Sequence, residues 1–166
     1  SKYAYDNRYE WIWMMDDDGI PANNQLEQLL ITATRNSLYV LNALVVNKYD
    51  HTRLAFGRQE PLSTLDLNHE IVKQPLSPFN GTFIHRTIIN KVGFIKKEMF
   101  IWGDEQEYMG RIRKAGITPY TATNAIHYHP KEKGVKQYAI PFLQKGLVIE
   151  KPIKLRDQEY ILCYFL

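Results

Sequence analysis

Three consecutive aspartates, Asp16, Asp17 and Asp18, follow the apolar run Tyr9 to Met15 and are closed by Gly19. Carboxylates this close repel one another, so they either point into water or share a cation. A hard divalent ion takes oxygen ligands, and Mg²⁺ characteristically uses one or two carboxylates together with substrate phosphates. Strand geometry sets Asp16 and Asp18 on one side and Asp17 on the other, so the first and third aspartates form the natural pair. The plain alternative is a polar turn whose aspartates cap the following helix.

A second acidic group, Asp104, Glu105 and Glu107, crowds the start of a helix pattern after Trp102-Gly103. A helix N-terminus favours ionised carboxylates, which keeps a base deprotonated while weakening it. Asp104 and Glu107 are spaced as a capping box, and that leaves Glu105 free to face a cleft. His127 and His129 end an alternating stretch, where period 2 puts both imidazoles on one face. Neutral imidazole suits Mn²⁺ and similar ions, although two solvent-facing histidines on an edge strand fit the same pattern. Asn80-Gly81 supports a tight turn and could line a small pocket with backbone. Lys131, Lys133 and Lys136 form a basic stretch able to reach phosphates or simply to sit in water.

These residues need elements to hold them. Tyr9 to Met15 and Tyr39 to Val46 read as buried strands. Between them, Leu26, Leu29, Leu30 and Ala33 make a helical face, with Asn24 and Glu27 spaced as a cap. Lys48 to Pro78 reads as an excursion containing a strand at Thr52 to Phe56. Thr82 to His85 is a short strand, and Arg86 to Val92 a short helix stopped by Gly93. The strongest helix signal runs from Asp104 to Ala115, with Tyr108, Met109, Ile112 and Ala115 on one face and Gly116 at its end. Thr118 to His129 reads as a strand. Strands alternate with helices, so the class is α/β.

Composition narrows the function. With 45% hydrophobic and 23% charged residues, the 166-residue chain is ordinary globular material, which excludes disorder. Its single cysteine, Cys163, excludes an internal disulfide and a cysteine-rich zinc site. The net charge of +3 is too small and scattered to indicate nucleic acid. No apolar run approaches the ~20 residues of a membrane helix. The chain opens on Ser1-Lys2-Tyr3-Ala4-Tyr5-Asp6-Asn7, which reads as the tail of a helix from a longer protein.

The order of the motifs is more specific than any one of them. Trp11-Ile12-Trp13-Met14-Met15-Asp16-Asp17-Asp18-Gly19-Ile20-Pro21 resembles the Asp-x-Asp region of family 2 glycosyltransferases. Phe79-Asn80-Gly81-Thr82-Phe83-Ile84, with Val92-Gly93-Phe94, is similar to their acceptor-side segment. Phe100 to Tyr108, with Arg111-Ile112-Arg113, is similar to their acidic catalytic helix. Ala125-Ile126-His127-Tyr128-His129-Pro130 resembles the strand carrying a metal-binding histidine. The tryptophan-rich strand and Trp102-Gly103-Asp104-Glu105 resemble the galactofuranosyl- and rhamnosyltransferase-like branch. The resemblance covers roughly residues 3 to 135.

The resemblance implies a GT-A (Rossmann-like) fold, here the C-terminal portion of a mixed sheet flanked by helices. It divides the chain into a partial catalytic domain over 1–135, carrying the metal and acceptor side, and a helical extension over 136–166. Asp16 and Asp18 would hold Mn²⁺ or Mg²⁺, with His129 completing the shell and His127 as its alternate. Asp17 and Lys133 would lie against the donor diphosphate. Glu105 would be the base of an inverting transfer, and Asp104 the alternative. Asn80, Gly81, Trp102 and Tyr108 would face the acceptor. The implied partners are a UDP- or dTDP-sugar donor and a glycan or lipid-linked glycan acceptor. The implied setting is cytoplasmic cell-surface polysaccharide synthesis, with room for peripheral association at the inner face of the membrane. The family's upstream nucleotide-binding half is expected to be missing, leaving an exposed parallel sheet edge and a poor catalyst. Two other classes stay open: a non-catalytic glycan- or partner-binding remnant, and a metal-dependent phosphoryl or nucleotidyl transferase.

Overall fold

The computed structural model describes residues 1–57, 61–73, 76–99, 103–131, 151–154 and 160–165. A short helix α1 (Lys2–Asp6) leads into β1 (Trp11–Met15), and all five β1 residues are buried. Period 2 divides them between two cores. Ile12 and Met14 join Ala4, Ile88, Ile89, Tyr108, Met109 and Ile112 on one side of the sheet. Trp11, Trp13 and Met15 join Leu29, Ala33, Leu41 and Phe83 on the other, where Trp11 stacks on Phe83 at 4.4 Å. A strand buried on both faces reads as a continuous apolar run, which is the pattern of Trp11 to Met15.

The order continues with β2 (Ile20–Pro21), α2 (Gln25–Asn36), β3 (Val40–Asn47), β4 (Asp50–Leu54), β5 (Ile71–Val72), β6 (Thr82–His85), α3 (Arg86–Val92), α4 (Asp104–Lys114), β7 (Tyr120–His129), β8 (Lys151–Lys154) and β9 (Tyr160–Phe165). The strands form one mixed sheet in the order β2-β7-β3-β6-β1-β9-β8, with β4 paired to β3 and β5 to β7. Helix α2 covers one face, while α3 and α4 cover the other. The α/β reading therefore holds. Among the described residues, no helix is long and apolar enough to cross a membrane.

Several expectations change. Asn24 occupies the α2 cap position without a side-chain hydrogen bond, and Gly103, at φ 80°, rather than Asp104, caps α4. The Asp104–Glu107 box is absent because Glu107 turns instead to Lys96 at 2.7 Å and to Arg111 at 2.8 Å. The end of α4 follows the reading: Gly116 has φ 78°, Ile117 N–H donates to Ile112 O, and Gly116 N–H donates to Arg113 O, a Schellman closure. Where a helical extension is expected over 136–166, its described residues form β8 and β9. Tyr160–Phe165 is rich in aromatic and β-branched or bulky residues, which suit a strand. Strand β9 pairs parallel with β1 from Trp11 to Met15, so the edge expected to be open is covered.

The register of β7 against β3 decides the site. Ala43 pairs with Ala122, but Leu44 pairs with Ile126. The odd number of skipped residues reverses the alternation. Thus Ala122 and Ala125 both reach the α2 side of the sheet, and the odd-numbered His127 and His129 follow Ala125. Glu70 holds this bulge: its carbonyl accepts from Thr123 N–H at 3.0 Å, and its carboxylate accepts from Arg35 at 2.8 Å and Asn36 at 3.2 Å on α2.

Candidate active site

Strands β1, β3 and β7 run in one direction, because β6 is antiparallel to both β1 and β3 and β7 is parallel to β3. Their carboxyl ends therefore share one edge, the usual place for a ligand in an open α/β sheet. The aspartate turn leaves β1 there. Residues Ile20 and Pro21 then pair with Tyr128 and His127, which carries the turn over the end of β7. Ligand atoms of Asp16, Asp18 and His129 come within 4.8 Å of one another.

His129 is set by its own strand. Its Nδ1 lies 2.8 Å from the Pro130 carbonyl, and its Nε2 lies 2.7 Å from Asp18 Oδ1. A carbonyl only accepts, so Nδ1 carries a hydrogen, and Nε2 either donates a second hydrogen to Asp18 or gives its lone pair to a cation. This is the arrangement that second-shell partners impose on metal-binding imidazoles. The ring of Phe56 packs against His129 at a centroid distance of 4.6 Å. Burial pushes the Asp16 carboxyl up to about 6; Asp18 and Asp17 add to the rise, while His129 and a hydrogen bond from Asn80 oppose it. Two carboxylates and one imidazole form a mixed oxygen and nitrogen set, which suits Mn²⁺ better than the all-oxygen preference of Mg²⁺.

His127 shares the face of His129 but stands outside this group. It is fully buried, and its Nδ1 lies 3.1 Å from Gln25 Oε1 at the start of α2. Burial pushes its pKa down to about 4, so it is neutral at pH 7. Asp17 is exposed and also lies outside the group of three.

The Asn80-Gly81 turn forms one wall of the site. Positive φ falls on Phe79 at 65° and Gly81 at 78° rather than on Asn80. Phe79 bears this uncommon conformation because its ring is buried in the core and its N–H donates to Thr82 Oγ1 at 2.7 Å. The Thr82 hydroxyl donates in turn to Asn42 Oδ1 at 2.6 Å. Gly81 N–H donates to Met14 O, and Gly81 O accepts from Ala43 N–H, so the turn is locked between β1 and β3.

Helix α4 packs on this wall through Tyr108, whose ring lies 6.5 Å from that of Phe79. Tyr108 has no exposed surface, and burial pushes its hydroxyl up to about 12. In this structure the side chain is enclosed in the core beside Phe79. Asp104 and Glu105 open the helix as neighbours. Burial raises the Glu105 pKa, and a hydrogen bond with Asp104 adds to the rise. Trp102 and Lys133 lie outside the described residues. A hollow of about 310 Å³ lies near the start of β7, lined by Arg113, Gly116 and Pro119 among others; none of the candidate residues lines it.

Sequence reasoning missed Gln25 and Phe56. Nothing in their local patterns points to the site, because their partners are distant in the chain.

No protein-family model matches the chain. Galactofuranosyltransferase GlfT1 of Mycolicibacterium smegmatis is 32% identical to it over 133 residues, which make up 73% of this chain and 44% of that protein. Galactofuranosyltransferase GlfT1 of Mycobacterium tuberculosis is 31% identical over 131 residues, 73% of this chain and 43% of that protein. This chain resembles galactofuranosyltransferases. It spans less than half the length of these relatives. The similarity supports a glycosyltransferase at the general level.

Proposed function

We propose that this chain is the metal and acceptor side of an inverting, metal-dependent glycosyltransferase of family 2, with a GT-A fold. It would move a sugar, galactofuranose by the relatives' name, from a nucleotide-sugar donor to a glycan or lipid-linked glycan acceptor at the inner face of the membrane. The convergence of Asp16, Asp18 and His129 carries this reading. Together they would hold Mn²⁺, with Mg²⁺ as the harder alternative. The ion would neutralise charge on the departing nucleoside diphosphate.

The rest is work for the chain's own residues. A hydrogen bond from Asn80 favours the ionised form of Asp16, the form that would hold a cation. Pro130 holds the His129 tautomer that leaves Nε2 available. Glu105 takes the proton from an acceptor hydroxyl as that oxygen attacks the anomeric carbon from the face opposite the leaving group. Burial raises the Glu105 carboxyl, and a raised pKa makes a carboxylate a stronger base; Asp104 is the alternative. Asp17 and Lys133 would face the diphosphate, and Asn80, Gly81 and Trp102 the acceptor.

The deciding measurement is calorimetric binding of UDP with and without Mn²⁺, on this chain and on Asp18→Ala. Binding that needs Mn²⁺ and disappears in the variant is the expected result. Mn²⁺ binding equal in the two proteins would overturn the site.

A further inference from the structure

Gln25 and His127 are 102 positions apart in sequence, yet both are fully buried and meet through His127 Nδ1 and Gln25 Oε1. Neither side chain has a partner for its remaining nitrogen, His127 Nε2 or Gln25 Nε2. Each of those nitrogens is instead pressed against a glycine. A methyl group at Gly19 would lie 2.1 Å from His127 Nε2, and one at Gly81 would lie 2.2 Å from Gln25 Nε2. The pair thus fills the space between the turn carrying Asp18 and the turn carrying Asn80. Gly81 has a positive φ of 78° and would be strained by any side chain, whereas Gly19 shows no such φ. Gly19 is therefore a glycine for lack of space, and the space is taken by His127.

We propose that Gln25 and His127 are positioning residues, a buried spacer that sets the separation of the aspartate turn from the Asn80-Gly81 turn and so holds Asp18 opposite His129. The inference rests on the reading of Asp16, Asp18 and His129 as a cation site, and it assigns His127 a role other than ligand. Gln25 orients the imidazole from α2, and the imidazole edge seats Gly19.

The test is a double-mutant cycle with Mn²⁺ alone as the probe. Gly19→Ala drives a methyl group into the imidazole edge and should weaken Mn²⁺ binding at least about tenfold, as loss of supporting contacts does at metal sites. His127→Asn keeps an amide nitrogen near the Nδ1 position for Gln25 and removes the edge that collides. The double variant should therefore recover Mn²⁺ binding to within about threefold of the parent, a coupling expected only of residues in contact. A merely structural role would lower thermal stability in all three variants without this recovery. Gly19→Ala binding Mn²⁺ like the parent would overturn the spacer. Loss of binding in His127→Asn and in the double variant alike would make His127 a ligand and overturn it too. Amide and imidazole NMR shifts of Asp16, Asp17, Asp18 and His129, taken without metal, form a second arm. They should move in Gly19→Ala and return in the double variant. If the parent binds no Mn²⁺, the cation reading fails, and this arm alone decides the spacer.

Discussion

Asp16 follows directly on a strand whose five residues are all buried, and its carboxyl bears the cost of that position. In the folded chain its pKa lies near 6 against an ordinary 3.8. A raised carboxyl favours the protonated fold, so its contribution to stability is complete below about pH 3.8 and is lost as the pH rises through 6. Without divalent cations, Asp16→Asn should therefore be more stable than the parent at pH 8, by an amount on the order of 2–3 kcal/mol, and no more stable at pH 3.5. Thermal melts in chelator at the two pH values check this. Excess Mn²⁺ should reverse the order at pH 8, because the asparagine lacks the charge that holds the ion. Glu105 makes a kinetic prediction at the same scale. In a protein competent for transfer, Glu105→Gln should lower turnover by about 10²–10⁴ while donor binding is kept. Turnover like the parent's would move the base to Asp104.

The acidic helix is positioned by one guanidinium. Arg111 pairs with Glu107 on its own helix, donates to Val92 O and to Phe94 O beyond α3, and lies 5.0 Å over the Tyr108 ring. Lys96 closes the other side of Glu107 at 2.7 Å. These contacts tie the Gly93 turn to the helix that presents Glu105. Arg111→Ala leaves two backbone carbonyls without their donor and the Glu107 carboxylate with Lys96 alone, and it also removes packing from the ring. We expect a loss of about 2–4 kcal/mol in chemical denaturation. Lys96→Ala, at an exposed pair, should cost under about 1 kcal/mol. The β7 bulge is the other element-scale device, since its odd register shift turns both histidines toward α2.

At the scale of the whole molecule, a cation would join the ends of β1 and β7, strands separated in the sheet by β3 and β6. A ligand bound only by the folded chain stabilises by mass action. Mn²⁺ at 100 times its dissociation constant should add about 2.7 kcal/mol, raising the thermal midpoint by roughly 5–10 °C for a domain of this size. Asp18→Ala should abolish that rise. A rise of equal size in the variant would place the ion elsewhere.

The sequence by itself determined the elements and the chemistry they carry. The continuous apolar run Trp11 to Met15, the apolar face of Tyr108, Met109 and Ile112, and the glycine stops at Gly93 and Gly116 are local signals, and local physics acted on them. The candidate ligands Asp16, Asp18 and His129 were legible because carboxylate and imidazole carry their chemistry wherever they stand. The resemblance ranked His129 ahead of His127; tertiary structure sets His129 against Asp18 and packs His127 under Gly19. That choice depends on a register shift between β3 and β7, residues roughly eighty positions apart, and no pattern within β7 encodes its partner's alignment. Tertiary structure also withdrew the Asp104–Glu107 box and placed Tyr108 in the core: Glu107 meets Lys96 from outside α4 as well as Arg111 on its own helix, and Tyr108 packs against Phe79.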